Sequence, residues 1–324
     1  LVETLGTDHV RIHPNVTVLQ AAASRLGRPW QDMVVVSLHG RDDLSPLFRA
    51  LAFSDEVGVY TDPENTPQRI AREMVRRRVD TFEMYVFENM GLKRERIGKY
   101  HPEQAAAMDF SPLNFILLER VSLPRVRARL GMDEGQYFHE RDQITKKEVR
   151  AAGLAALQVG PRHTVWDLGA GSGSVAIEAS LLARNGRVLA VEKRARRVEF
   201  IRENIRRTGC YHVEVVPGEM PECLASLPEP DRIFIGGGLG RNNLVLAEAA
   251  RLLKPGGRLV LHIVLLGSLN RACGYLTGVC WPYSISQIMV SRSKELAGDY
   301  RMETLNPVYI VTGCKPKQGN RCHT

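Results

Sequence analysis

The sequence lacks any long apolar run. No stretch reaches the roughly 18–20 consecutive apolar residues that cross a bilayer, and the first residues have neither the basic start nor the apolar core of a signal peptide. The six cysteines form no C-x-x-C pair and have no accompanying histidines at zinc-ligand spacing. These absences argue against a membrane span, a secretion signal and a bound metal. They predict a cytoplasmic protein with reduced thiols.

The composition that remains is that of an ordinary folded protein with a basic surplus. Its 324 residues are enough for about two domains, and a hydrophobic fraction of 44% can fill their cores. The formal net charge of +8 is compatible with an anionic partner. Nucleic acid, a membrane surface and a polycarboxylate small molecule all fit this charge, as does a plain basic surface without a specific partner.

Residues 1–120 alternate short apolar stretches with helical patterns. The predicted strands are 33–38, 57–60, 81–88 and 114–118, and the predicted helices are 14–25, 44–53 and a segment that begins at Pro67. This alternation predicts an α/β domain with a largely parallel sheet. Residues 121–141 show little periodicity and are interpreted as a linker. A second domain is expected at 142–314, followed by a tail at 315–324.

The second domain repeats the alternation more regularly. Thr145 and Glu148 have the spacing of a capping box at the start of its first helix. Helices separate the first five strands, whereas the last two are too close together for a crossover helix and predict an antiparallel hairpin. This is the layout of Rossmann-like class I methyltransferases, which have a mostly parallel seven-stranded sheet. The predicted strands are 164–168, 188–192, 213–216, 232–235, 258–265, 284–291 and 307–311.

A glycine-rich turn follows the first of these strands. Gly169, Gly171 and Gly173 are spaced G-x-G-x-G, and Ser174 stands where a nicotinamide-binding fingerprint has its last glycine. Asp167 at the strand end can organise the turn and, directly or through water, hold an ammonium group. The backbone N–H groups of the turn suit a carboxylate. The pattern therefore favours S-adenosylmethionine (SAM), which carries both groups, over a dinucleotide.

Further loops complete the predicted cofactor site. Glu192, at the end of the next strand, is expected to accept both ribose hydroxyls, although such acids are also ordinary residues at helix starts. Glu219 and Met220 lie where this architecture passes the adenine edge; the alternative is that Pro221 simply begins a helix there. The predicted cofactor-binding residues are Thr145, Asp167, Gly169, Ala170, Gly171, Ser172, Gly173, Glu192, Glu219 and Met220.

At these motifs the second domain resembles a methyltransferase family of cobalamin biosynthesis, whose members methylate C15 of a precorrin and decarboxylate a ring acetate. The matching residues are 145, 148–150, 166–175, 234–238 and 289–292. The first domain resembles the usual fused partner, a C5-methylating tetrapyrrole methylase. The matching residues there are 36–41, 61–67, 87–91 and 110–114. The strand and glycine-rich loop that open such a domain have no counterpart in this sequence. We therefore expect a partial first domain, and methylation at C15 but not at C5.

The resemblance implies a reduced tetrapyrrole substrate with acetate and propionate arms, with or without cobalt, and SAM as cofactor. Methyl transfer is then an in-line displacement that requires no protein nucleophile and no metal, so no catalytic residue is assigned. A homo-oligomer is expected, a tetramer by analogy, with neither nucleic acid nor a membrane as partner. For each arginine singly, an ion pair within the fold is the simpler role. The candidate substrate-binding residues are Gly236, Gly237, Gly238, Arg150, Arg241 and Arg292, with Arg41 in the first domain.

Two other functions stay open. A class I methyltransferase that acts on RNA or protein is expected to carry a motif of the Asn-Pro-Pro-Tyr type after the fourth strand, where this chain has residues 236–238, all glycine. Alternatively, the first domain serves only as an oligomerisation module, because half a sheet domain leaves an exposed edge and an apolar face.

Overall fold

The structure is a computed structural model that describes residues 2–11, 13, 15–141, 143–237, 239–240 and 242–317. The chain divides into two compact units. The first comprises the residues up to Arg76 together with Asp80–Ser122, and the second comprises Arg77–Val79 with the residues from Leu123 onward. Within the described ranges, no helix is long and apolar enough to cross a membrane, and no group of three or more His, Cys, Asp or Glu could hold a metal ion.

The segment predicted as a linker belongs mostly to the second unit, which begins at Leu123 rather than at residue 142. Gly131 N and Met132 N donate hydrogen bonds to the carboxylate of Glu178, at 2.8 and 3.1 Å. Phe138 N donates to Asn204 Oδ1 at 2.7 Å. These bonds give partners to backbone N–H groups of the segment, and they hold it as part of the second unit. The hydrophobic pattern of the sequence carries no signal for such bonds.

The first unit is built around a five-stranded sheet with the strand order β1-β2-β5-β3-β4. Only β1 and β2 are parallel; β5 lies antiparallel between β2 and β3, and β4 pairs antiparallel with β3. Its elements are α1 (Val2–Leu5), α2 (Val18–Leu26), β1 (Val34–Ser37), α3 (Ser45–Phe53), β2 (Glu56–Tyr60), α4 (Pro67–Arg76), β3 (Phe82–Glu88), β4 (Arg96–Tyr100), α5 (Pro102–Ala105) and β5 (Asn114–Arg120).

The prediction of a largely parallel sheet is wrong for this unit. Strand β4 was not predicted from the sequence, because it is polar and has no apolar pattern. Parallel neighbours need a crossover connection, whereas antiparallel ones need only a short loop. The predicted helix at 14–25 also begins later, at Val18, because Thr17 has an extended backbone and caps it. Thr17 Oγ1 accepts from Gln20 N while the Gln20 side chain accepts from Thr17 N.

The second unit contains the predicted seven-stranded, mostly parallel sheet, with the order β11-β14-β10-β9-β6-β7-β8. The five strands β6 to β10 are mutually parallel, and β14 runs antiparallel to both β10 and β11. Its elements are α6 (Lys147–Leu157), β6 (Thr164–Leu168), α7 (Ser174–Leu182), β7 (Arg187–Glu192), α8 (Ala195–Thr208), β8 (Val213–Pro217), β9 (Arg232–Ile235), α9 (Leu244–Leu252), β10 (Arg258–Ile263), α10 (Leu266–Gly278), β11 (Tyr283–Ile288), β12 (Ser291–Leu296), β13 (Asp299–Thr304) and β14 (Val308–Cys314).

Three local details differ from the expectation. The last two strands of the sheet pair antiparallel as predicted, but a separate hairpin, β12–β13, connects them. The N-cap residue of α6 is Lys146, whose side chain makes no capping hydrogen bond, so Thr145 does not form the predicted capping box. Cys210, Cys223, Cys273 and Cys314 are free thiols, whereas Cys280 is disulfide-bonded, which corrects the expectation that every cysteine is reduced.

Candidate functional site

The glycine turn joins the buried strand β6 to the buried N-terminus of α7. Gly169, Gly171 and Gly173 have φ values of +74°, +57° and +75°, a left-handed conformation that side chains disfavour. A Cβ atom at Gly169 would lie 2.8 Å from the carbonyl oxygen of Gly237, and one at Gly173 would lie 2.9 Å from Ile201 Cγ2. The turn therefore needs glycine both for its backbone shape and for its close approach to the loop after β9.

Asp167 lies just before the turn and is 2% exposed. Its Oδ2 accepts a hydrogen bond of 3.0 Å from Ala176 N in the first turn of α7. Burial raises the pKa of Asp167 to about 7, although the bond from Ala176 opposes this shift. A buried carboxylate of this kind is stabilised in its charged form by a cation, so the position suits a positively charged ligand group.

Glu192 ends β7 beside the turn and is 4% exposed. Its Oε2 accepts from Gly171 N at 3.0 Å and its Oε1 accepts from Arg194 N at 2.9 Å. Parallel pairing of β6 with β7 brings the ends of both strands to the same edge of the sheet. Glu192 thus fixes the glycine turn as well as presenting a carboxylate at the sheet edge.

Most of the predicted site residues line two adjoining cavities. Gly169, Gly237 and Arg197 line both of them. The larger has a volume of about 650 Å³, and the predicted residues on its wall are Thr145, Asp167, Gly169, Ala170, Gly171, Ser172, Gly236 and Gly237. The smaller has a volume of about 190 Å³, and the predicted residues on its wall are Gly169, Glu192, Glu219, Met220 and Gly237. Gly173 lines neither cavity, and Gly238 and Arg241 lie outside the described residues.

The loop after β8 forms the outer wall of the smaller cavity. The Glu219 side chain is 68% exposed, and its carboxylate lies 2.8 Å from Lys193 Nζ. The hydrogen bond with Lys193 lowers the pKa of Glu219. Met220 packs against the core of the unit, and Pro221 caps a 3-10 helix, Glu222–Ser226. Of this pair, Met220 offers the apolar surface and Glu219 a solvent-exposed charge.

Arg150 does not face a ligand and is not a substrate clamp. It is completely buried, and its Nε donates to Glu178 Oε1 at 2.7 Å. Its other nitrogens donate to the carbonyl oxygens of Thr145 and Met132. Glu178 also accepts from Tyr137 Oη at 3.1 Å. Because a buried charge needs its partners, Arg150 is committed to holding the segment before α6 against α7.

Arg292 on β12 is also paired with carboxylates of the second unit. Its Nη1 donates to Glu134 Oε2 at 2.9 Å, and its Nε donates to Glu148 Oε1 at 3.1 Å. The bonds with Glu134 and then Glu148 raise the pKa of Arg292 further above its ordinary value. Arg292 ties the β12–β13 hairpin to the start of α6 and lines neither cavity, so its assignment to substrate stays a prediction. Arg41 lies in the first unit and lines neither cavity.

Six polar residues of the larger cavity were not predicted as site residues from the sequence: Gln143, Lys146, Ser174, Arg197, His262 and Asn306. Arg197 Nε donates to Glu140 Oε2 at 3.0 Å. His262 is 9% exposed, and neither ring nitrogen has a hydrogen-bond partner among the described residues. Burial lowers the pKa of His262 to about 4, so the ring is neutral at pH 7. The sequence signal for His262 was its place as a polar residue among apolar ones near the carboxyl end of strand β10.

Comparisons with known proteins fit this geometry. A relative from Sinorhizobium sp., a precorrin-6Y C(5,15)-methyltransferase [decarboxylating], is 34% identical over 274 residues, which cover 82% of this chain and 64% of the relative. This chain therefore spans less than two thirds of that relative's length. A protein of Saccharolobus solfataricus named "Probable cobalt-precorrin-6B C(15)-methyltransferase (decarboxylating)" is 32% identical over 184 residues, which cover 55% of this chain and 92% of that protein.

A solved structure gives the same result. The crystal structure of a precorrin-6y C5,15-methyltransferase from Geobacter metallireducens matches with a TM-score of 0.55 and 38% identity, covering 57% of this chain and 98% of that one. A family model for tetrapyrrole (corrin/porphyrin) methylases matches residues 1–104. A model described as a precorrin methyltransferase domain matches residues 136–312. Because this second match covers more than half of the chain, the protein belongs to the precorrin methyltransferase family.

Proposed function

We propose that the second unit uses SAM to methylate C15 of a precorrin of the precorrin-6B type, and that a ring acetate of the same substrate leaves as CO₂. The observation that carries this proposal is that the glycine loops after β6 and β9 lie in contact, with the buried carboxylates of Asp167 and Glu192 nearby. Gly169 and Gly237 approach each other closely where the two cavities adjoin. Asp167 lines the larger cavity and Glu192 the smaller one.

The residues fit SAM in charge and in space. Asp167 is assigned to the ammonium group, and Thr145 with the backbone of the turn at Ser172 to the carboxylate. The other N–H groups of the turn donate within the protein, from Gly169 and Ala170 to Val191 O, from Gly171 to Glu192 and from Gly173 to Ala170 O. Glu192 is assigned to the ribose hydroxyls, and the loop of Glu219 and Met220 to the adenine, with Met220 as its apolar wall. When bound, SAM supplies a methyl group on a sulfonium sulfur. A side chain at Gly169 would fill the space between the loops.

The substrate is assigned to the larger cavity. Gly236 and Gly237 are exposed, and a Cβ atom added at Gly237 meets no described residue within 4 Å apart from its chain neighbours. This open backbone gives a flat macrocycle room to approach the methyl donor. The protein's contribution to methyl transfer is then mainly to position the two reactants and to exclude water. No described residue is assigned as a nucleophile.

The proposal is tested by incubating the full chain with precorrin-6B and isotope-labelled SAM, followed by mass spectrometry. We expect a product that has gained one labelled methyl group and lost CO₂. Binding of SAM without any transfer to the precorrin, or transfer to RNA or protein instead, would contradict the proposal. A homo-oligomer and a cytoplasmic location remain predictions; light scattering on the purified chain tests the first of these.

A further inference from the structure

Three consecutive apolar residues after β10 are exposed to solvent. Val264, Leu265 and Leu266 connect this strand to α10, and they are 54%, 70% and 63% exposed. Single exposed apolar side chains are ordinary, whereas a run of three in one place indicates a contact surface. Val264 also lines the larger cavity. This apolar patch, residues 264–266, therefore continues the wall of the cavity onto the surface of the second unit.

Arg271 of α10 has no acidic partner among the described residues. Its Nη2 donates to Ser268 Oγ at 2.9 Å and to the carbonyl oxygen of Gly240 at 3.4 Å, and both acceptors are neutral. Side chains three or four positions apart on a helix are neighbours, and no residue at these distances from Arg271 is acidic. The guanidinium is thus a positive charge that is oriented by neutral groups and not neutralised by them.

The position of this guanidinium is next to the patch and to the cavity. A Cβ atom at Gly267 would lie 3.6 Å from Arg271 Nη1, so the guanidinium lies over the first turn of α10, which begins at Leu266. Gly240 belongs to the loop after β9, and Gly237 of the same loop lines the larger cavity. Arg271 therefore lies between the two loops that form this side of the cavity.

The larger cavity is too small for the whole substrate of the proposed reaction. Its volume of about 650 Å³ is within the range of about 300–1,000 Å³ that holds a drug-sized ligand. A tetrapyrrole with acetate and propionate arms is larger than such a ligand, and the methionine end of SAM is assigned to the same space. The edge that is methylated can enter, while the rest of the macrocycle stays outside. That part has apolar faces and an anionic rim.

We propose that the apolar patch and Arg271 bind the part of the precorrin that stays outside the cavity. The patch contacts a face of the macrocycle, and Arg271 pairs with one of its carboxylate arms. This inference rests on the proposed function and adds a substrate-binding surface to it. Two observations select this occupant: the patch is continuous with the cavity through Val264, and a cation without an acidic partner stands beside it. Arg150 and Arg292, by contrast, are already paired with carboxylates.

The test measures the binding of precorrin-6B to the full chain saturated with S-adenosylhomocysteine, by titration calorimetry. We expect Arg271→Gln to raise the Kd for the precorrin at least about tenfold, because a charged hydrogen-bond donor is lost. Arg271→Lys keeps the charge and should recover part of this loss. The double variant Leu265→Gln/Leu266→Gln should raise the Kd about tenfold, because apolar contact area is lost. The affinity for S-adenosylhomocysteine should be unchanged in each variant, which also shows that it is folded.

Two control variants remove similar groups elsewhere. Arg162→Gln removes a charge just before β6, at the opposite edge of the sheet, and Leu123→Gln removes an exposed apolar side chain. Neither residue lines a cavity, and each change should leave the Kd within about twofold. Raising the salt concentration from about 50 to 250 mM should weaken precorrin binding by the wild type more than by Arg271→Gln, since salt screens the ion pair.

Wild-type affinity for precorrin-6B in the folded Arg271→Gln and double variants overturns the assignment, as does an equal loss in the two controls. A changed oligomeric state of the double variant in light scattering also overturns it, because a second copy of the chain then covers the patch. A wild-type protein that binds S-adenosylhomocysteine but not precorrin-6B refutes the proposed function itself.

Discussion

Replacing Glu192 by Gln tests the cofactor assignment at its most specific point. The carboxylate accepts one backbone hydrogen bond from Gly171 and one from Arg194. A Gln amide has a single acceptor oxygen, so its NH₂ group must face one of these two N–H donors. One backbone bond is then lost, and the ribose meets a neutral group instead of a charged one. Hydrogen bonds to charged groups contribute about 1.5–3 kcal/mol.

We therefore expect Glu192→Gln to weaken cofactor binding by about 2 kcal/mol, which corresponds to roughly a 30-fold increase in Kd. Isothermal titration with S-adenosylhomocysteine at pH 8 measures this change in the full chain. The matched control is Glu222→Gln, which removes an exposed carboxylate that lines neither cavity and should leave Kd within about twofold. Glu219→Gln separately tests the adenine contact.

Wild-type cofactor affinity in Glu192→Gln, together with an unchanged unfolding transition, would refute the ribose assignment. That result would mean that the carboxylate serves neither the ribose nor the turn. An equal loss in the Glu222→Gln control would instead show that the general negative charge of this region matters, rather than the position of Glu192.

Three further changes have outcomes that the structure specifies. Because burial raises the pKa of Asp167 to about 7, its charged form is lost as pH falls from 8 to 6, and SAM affinity should fall about tenfold, a dependence that Asp167→Asn should remove in titration calorimetry. Arg150→Met leaves Glu178 buried without its charged partner and should lower the free energy of unfolding by about 3–5 kcal/mol, whereas Arg251→Met on the surface should change it by less than about 0.5 kcal/mol in the same denaturant melts. Gly169→Ala forces a side chain into a left-handed turn and against the neighbouring loop, so it should lower both the melting temperature and cofactor affinity.

The sequence alone determined those elements that depend on residues close together in the chain. Apolar stretches bounded by glycine and proline placed the strands of the second unit, because a strand buried on both faces is apolar along its length. The G-x-G-x-G spacing after Asp167 predicted the turn, and all three of these glycines adopt the positive φ values that favour this residue. Glu192 was predictable because parallel strands bring their carboxyl ends to one edge of the sheet.

The tertiary structure decided what depends on partners distant in the sequence. The first unit inserts β5 antiparallel between β2 and β3, a pairing that no local pattern specifies. Arg150 reads as a candidate substrate clamp until Glu178, 28 residues away, is found against it in the core. His262 reads as an ordinary strand residue until the structure shows its position on the cavity wall and, among the described residues, no hydrogen-bond partner for its ring nitrogens. The sequence shows which side chains are able to pair, but only the packed chain decides which of them are already paired and which face a ligand.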